Sequence, residues 1–169
     1  MAADAYEQAV ANFEASPWGD RLFCYHAGLD EFVDEIEDTY DLIVSNPPFY
    51  TEIVSSGNES RDTARQTIAL PFDELVAGVA ELLAPDGVFT TIIPFKEEKE
   101  FIALANKSNL YLNKLTRVRG NANAQIKRSL LQFSFQEKPL VENELIIEID
   151  RHKYTQEYIA LTAPFYLKM

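Results

Sequence analysis

The sequence predicts an α/β fold: a doubly wound, largely parallel sheet that finishes in antiparallel strands at its C-terminal edge. Three observations lead there. Residues 41–45, an acid followed by aliphatic and β-branched side chains, and residues 88–95 are continuous runs of the kind buried on both faces of a sheet. Residues 71–83 lie between them and repeat apolar side chains at helical spacing, with Phe72, Leu75, Val76, Val79, Leu82 and Leu83 on one stripe. Three further strand-like stretches, 110–118, 129–135 and 145–149, follow with no helix between them. Helix-separated strands favour parallel pairing, and strands joined by short connections favour antiparallel pairing.

Taken in order, residues 3–15 place Ala5, Ala9, Val10 and Phe13 on one side of a helix that Pro17 and Gly19 end. Residues 22–26 read as a short strand broken by Gly28, and the acidic stretch 30–38 as a solvated turn or one-turn helix. Residues 51–67 have little apolar periodicity and read as a loop with a short helix over 61–67. Pro85-Asp86-Gly87 turns the chain into the 88–95 strand, 96–106 is a helix, and 120–123 a loop. A connection through Pro139 suits an antiparallel hairpin between strands 129–135 and 145–149. A last helix covers 156–162, and Pro164-Phe165-Tyr166-Leu167 is expected to pack back as a terminal plug.

A chain of 169 residues fits one domain, and 47% hydrophobic content suffices for a core. The single cysteine, Cys24, excludes an internal disulfide; between Phe23 and Tyr25 it reads as a buried structural thiol in a reducing compartment. The N-terminal residues show no basic-then-apolar leader, and no stretch approaches the roughly 18 apolar residues of a membrane span. A cytoplasmic location and no membrane partner are therefore expected. The formal charge of −12 argues against a polyanionic partner, but its distribution is uneven. Arg21 is the only base in the first 60 residues, whereas residues 101–136 hold Lys107, Lys114, Arg117, Arg119, Lys127 and Arg128 and no acid. Such a segment either keeps neighbouring sheets apart or binds a polyanion. Arg61 and Arg65, four residues apart, share a face and meet either Glu59 and Asp62 or a phosphate.

The chemistry is concentrated where the 41–45 strand stops, at Asn46-Pro47-Pro48-Phe49. Two prolines remove two backbone donors and fix φ twice, so the strand cannot continue. The residue before them is pushed to extended geometry. Asn46 is thus held at the carboxyl end of a strand, the edge at which open α/β sheets bind ligands. An oriented amide, unpaired carbonyls and an aromatic ring suit a planar heterocycle bearing an amino group.

This tetrapeptide resembles the motif of amino-group methyltransferases that use S-adenosylmethionine. Further stretches resemble the bacterial tRNA adenine-N6 methyltransferases that act on adenine 37 of valine tRNA. They are Ser16-Pro17-Trp18 with Arg21, Arg61 with Ala64-Arg65, Arg128-Ser129-Leu130-Leu131 with Phe133-Ser134, and the closing Tyr154-Thr155-Gln156-Glu157-Tyr158, Leu161-Thr162 and Phe165-Tyr166-Leu167. The resemblance covers essentially the whole chain. It implies a Rossmann-like class I methyltransferase sheet, S-adenosylmethionine as cofactor, tRNA as partner and no metal. It assigns acceptance of the two N6 hydrogens to the Asn46 side chain and the Pro47 carbonyl, with Pro48 holding the loop and Phe49 stacking on a flipped base. Asn46, Gly28 and Asp30 would lie near the cofactor, and Arg61, Arg65, Arg117, Arg119, Lys127 and Arg128 would meet RNA.

The sequence departs from the family in one respect: none of its six glycines forms a Gly-x-Gly cofactor loop. The first strands of the fold are accordingly expected to be missing, the chain to be a C-terminal fragment that binds S-adenosylmethionine poorly, and its exposed sheet edges to promote self-association. Two other readings stay open. One is a protein-glutamine N5-methyltransferase, which shares the tetrapeptide; the other is a catalytically silent fragment that binds RNA or a partner.

Overall fold

The computed structural model describes residues 3–48 and 70–167. Its elements are α1 (Ala3–Glu14), α2 (Leu29–Glu35), β1 (Tyr40–Ser45), α3 (Phe72–Leu82), β2 (Leu83–Pro94), α4 (Glu98–Lys107), β3 (Tyr111–Asn121), β4 (Ile126–Ser134), β5 (Val141–Asp150), β6 (Lys153–Tyr154) and α5 (Gln156–Thr162). Among the described residues the strands form one sheet in the order β1-β2-β4-β3-β5-β6. β1 and β2 are parallel, as are β3 and β5. β4 runs against both its neighbours.

One reversed strand, β4, lies inside the sheet, while the C-terminal edge is antiparallel as expected, formed by the short β6 against β5. The expected hairpin between the 129–135 and 145–149 strands is replaced by one between β3 and β4, turning at residues 122–125. β5 then crosses to the far side of β3 and pairs with it in parallel. The Pro139 connection is short in sequence, but β4 already has a partner on each side, so β5 has no free ladder beside it.

Helices α3 and α4 cover one face of the sheet. Their apolar stripes deliver Leu75, Val76, Val79, Phe101 and Ala105 onto Phe89, Ile93, Leu115, Leu131 and Phe133. Phe89, Phe101 and Phe133 are wholly buried, and their rings meet at 5.9–6.4 Å between centroids. Each such side chain contributes about 1.5–3 kcal/mol relative to exposure. The opposite face is far less covered: Leu42 is 59% and Val44 71% exposed.

Four local expectations change. Pro85-Asp86-Gly87 does not separate helix from strand but is absorbed into β2 as an irregularity, where the register passes from Tyr40↔Leu83 to Leu42↔Val88. Residues 22–25 alternate half-buried and exposed side chains and His26 is exposed, none of them joining a ladder among the described residues, and Cys24 is half-buried and not buried as expected. Residues 164–167 do not plug the domain, since Phe165 is 83% exposed and Leu167 fully so. The acidic stretch forms a two-turn helix, α2, whose Gly28 cap N–H donates to the Glu31 carboxylate at 2.9 Å. No helix among the described residues is long and apolar enough to cross a membrane.

Candidate active site

β1 delivers Asn46 to the end of the sheet where the carboxyl termini of β1 and β2 lie side by side, Ser45 pairing with Thr91. Along this strand Ile43 and Ser45 are half-buried on the helix side, while Val44 and Asn46 are exposed. Pro47 is buried and Pro48 half-buried, so the loop is anchored one residue after the amide. Asn46 lines a cleft of about 370 Å³ together with Val44, Thr90, Ile92, Thr116 and Leu130. Its walls are mainly apolar with a few hydroxyls and amides, the make-up of sites for flat organic ligands.

A second cluster stands at the same carboxyl edge, on the helix side. Glu98 opens α4 and is only 5% exposed. Arg117 of β3 donates to it twice, Nη2 to Oε1 at 2.7 Å and Nε to Oε2 at 3.1 Å. The wholly buried Ser129 hydroxyl adds a bond to Oε2 at 2.6 Å. Burial alone would push the Glu98 carboxyl up, but the hydrogen bonds from Arg117 and Ser129 and the Arg117 charge outweigh it and hold the group below the usual range. The bonds to Glu98 in turn raise Arg117, which also meets Glu142 at 3.2 Å. Its guanidinium carbon lies 5.8 Å from the centre of the Phe95 ring.

These contacts revise the expected RNA-binding set. Arg117 is committed to Glu98 and Glu142, and Arg119 to Glu144 across β3 and β5. Two of the six cations of the basic run are thus paired with carboxylates, Glu98 of α4 and, through the parallel pairing of β5, Glu142 and Glu144. Lys127 and Arg128 remain exposed at the start of β4, Arg128 opposite Pro94. Gly28 and Asp30 sit at the N-terminus of α2, and Asp30 lines a separate cleft against α3 with Glu74, Gly78 and Glu81. That cleft shares no residue with the one at Asn46. Phe49, Arg61 and Arg65 lie outside the described residues. Among the described residues no group of three His, Cys, Asp or Glu side chains could hold a metal ion.

Sequence reasoning missed Glu98, Ser129 and Phe95. A signal for the first was present: Glu98 stands three and seven residues before Phe101 and Ala105, on the apolar stripe of α4. An acid on a buried stripe needs a partner.

Comparison with known proteins supplies the context. No family model matches the chain. A protein of Flavobacterium johnsoniae is 62% identical over 167 residues, which are 98% of this chain and 71% of that protein. One from Phocaeicola vulgatus is 41% identical, and one from Pseudoalteromonas translucida 34%, each match covering at least 98% of this chain and 70% of the relative. All three carry the name tRNA1(Val) (adenine(37)-N6)-methyltransferase. Among solved structures, a predicted O-methyltransferase from Agrobacterium tumefaciens superposes with a TM-score of 0.64 at 13% identity, over 96% of this chain and 74% of that one. The M protein of the type I restriction enzyme EcoKI follows at 0.51 and 12% identity, over 94% of this chain and 38% of that one. These two likenesses show the fold, a Rossmann-like methyltransferase sheet.

Proposed function

Because the chain belongs to the tRNA1(Val) (adenine(37)-N6)-methyltransferase family, we propose that it serves N6-methylation of adenine in tRNA, at position 37 of valine tRNA, in the cytoplasm, residues 1–169 forming part of one catalytic domain. The observation that carries this reading is the placement of Asn46, fixed by Pro47 and Pro48 at the carboxyl end of β1 and open to a cleft with apolar walls.

The exocyclic nitrogen of adenine is a poor nucleophile because its lone pair is delocalised into the ring. The Asn46 side-chain oxygen and the Pro47 carbonyl accept its two hydrogens, which favours a pyramidal nitrogen and stabilises the positive charge that develops there. The prolines hold both acceptors in place before the base arrives, so little reorganisation is needed at reaction. Phe49 is assigned the stacking face for the flipped base, and Arg61, Arg65, Lys127 and Arg128 contacts to phosphate.

S-adenosylmethionine, when bound, supplies the electrophilic methyl group. The described residues fit it in part only. Asn46 stands at the edge where it would meet a cofactor, but Gly28 and Asp30 open onto a different cleft, the Gly28 N–H is already taken by Glu31, and the sequence holds no Gly-x-Gly. We therefore expect the 169-residue chain to bind the cofactor more weakly than about 100 μM, roughly 5.5 kcal/mol. Calorimetric titration giving micromolar affinity would overturn that expectation.

The acceptor role is tested by filter binding with unmodified valine tRNA against a release-factor peptide carrying glutamine. Retention of the tRNA alone supports the RNA reading, and retention of the peptide alone supports the glutamine reading, which the relatives do not favour.

A further inference from the structure

The reading above leaves Phe95 without a task, although it stands immediately after β2 at the edge where Asn46 ends β1. Ser45, the last residue of β1, is level with Thr91, four residues before Phe95 on the neighbouring strand. Neighbouring strands lie about 4.8 Å apart. The ring therefore stands at the same carboxyl end of the sheet as Asn46, on the strand next to β1.

Its surroundings are built with unusual effort. Phe95 is 39% exposed, and the Arg117 guanidinium lies over its ring. That guanidinium is fixed by paired hydrogen bonds to the buried Glu98, which is fixed by the wholly buried Ser129. Desolvating a carboxylate is costly, and apolar side chains would hold α4 on the sheet at least as well. What the polar chain does that an apolar one would not is hold a planar cation against an exposed aromatic ring. On the adjacent strand Arg128 pairs with Pro94, and it and Lys127 are exposed.

We propose that Phe95 is a stacking residue for an unpaired nucleobase flanking the target in the RNA loop, with Arg117 as the positioning residue behind it and Lys127 and Arg128 meeting the phosphates of that nucleotide. The proposal rests on the RNA reading given above. An aromatic face accepts any base, so this ledge reads single-strandedness and not sequence. It separates an accessible loop from a helix, whose bases are already stacked.

The test measures binding of the full chain to a stem-loop RNA with adenine in its unpaired loop, and to a fully paired duplex of matching length. Phe95→Ala is expected to weaken loop binding about tenfold and leave duplex binding unchanged. Phe95→Trp is expected to keep loop affinity, and its added fluorescence over the Trp18 signal of the unsubstituted chain should be quenched by the loop and not by the duplex. Loop affinity of Phe95→Ala within twofold of the parent, or no quenching in Phe95→Trp, would sink the ledge while leaving the RNA reading intact. A parent chain with no preference for the loop over the duplex would sink both. Far-ultraviolet circular dichroism of both variants checks that the fold is retained.

Discussion

Asn46 and Glu98 are both polar side chains at the carboxyl edge of the sheet, but their surroundings give them opposite work. Asn46 is exposed and held by its neighbours, so its hydrogen-bonding capacity is available to a ligand. Replacing it by alanine should weaken binding of the adenine-bearing loop RNA about fivefold, near 1 kcal/mol for a hydrogen bond. The same RNA with purine in place of the target adenine, which lacks the amino group, should bind the parent and Asn46→Ala alike; a persistent difference would remove the contact. Glu98 is satisfied inside the protein. Its carboxyl is held below its unfolded value near 4.3, so the stabilisation is present above that pH and is lost as pH falls through the lower folded value. Glu98→Gln should cost about 2 kcal/mol at neutral pH and flatten the acid limb of a urea-melting series run below about pH 4.3. An unchanged acid limb would mean that the carboxylate does not carry that limb.

The elements differ in how far their sequences announce them. α3 and α4 were legible because their apolar residues recur on one stripe, and β1 and β2 as strands because of their aliphatic and β-branched runs, but the burial expected of β1 is not found, since Leu42 and Val44 face outward on the side that no helix covers. The partner of β5 was not legible. Pairing depends on which ladder remains open, and nothing local to residues 141–150 tells the chain that β4 is already enclosed. The pairing of Arg117 and Arg119 was not legible for the same reason: their carboxylate partners on β5 are 25 residues away in sequence and become neighbours only through that parallel pairing. The Asn-Pro-Pro stop was legible because proline acts on its immediate neighbours. Within the β1–β2 pair, Gly87 has a backbone reason to be glycine, since an added Cβ would lie 2.8 Å from the Tyr40 carbonyl and 2.9 Å from that of Ala84. Gly87→Ala should destabilise by about 1–3 kcal/mol, read as a fall in the urea midpoint. Gly120→Ala is the control, because nothing lies within 4 Å of a Cβ there.

At the scale of the whole molecule, two surfaces govern behaviour in solution. The face of the sheet opposite α3 and α4 exposes Leu42, Val44 and Leu130 beside an edge strand, a template for pairing with another chain. Sedimentation is expected to show mass rising with concentration for the parent and not for Val44→Lys; equal behaviour would exclude this face as the contact. The charge field is the second surface. With Arg117 and Arg119 neutralised by Glu98, Glu142 and Glu144, Lys127 and Arg128 are the cations of the 101–136 run assigned to phosphates. Replacing both by alanine should reduce the salt slope of single-strand RNA binding by about 1.4, at about 0.7 per phosphate.

The insertion of β4 between β2 and β3 also sets a timetable for synthesis. β2 ends at Pro94, yet the strand that closes its open side ends at Ser134. At about 5–20 residues per second, a ribosome takes roughly 2–8 s to add that length. Throughout that interval Phe89 and Ile93 lack the strand that later lies beside them. The nascent domain therefore carries this open edge of β2 until the β3–β4 hairpin has been made.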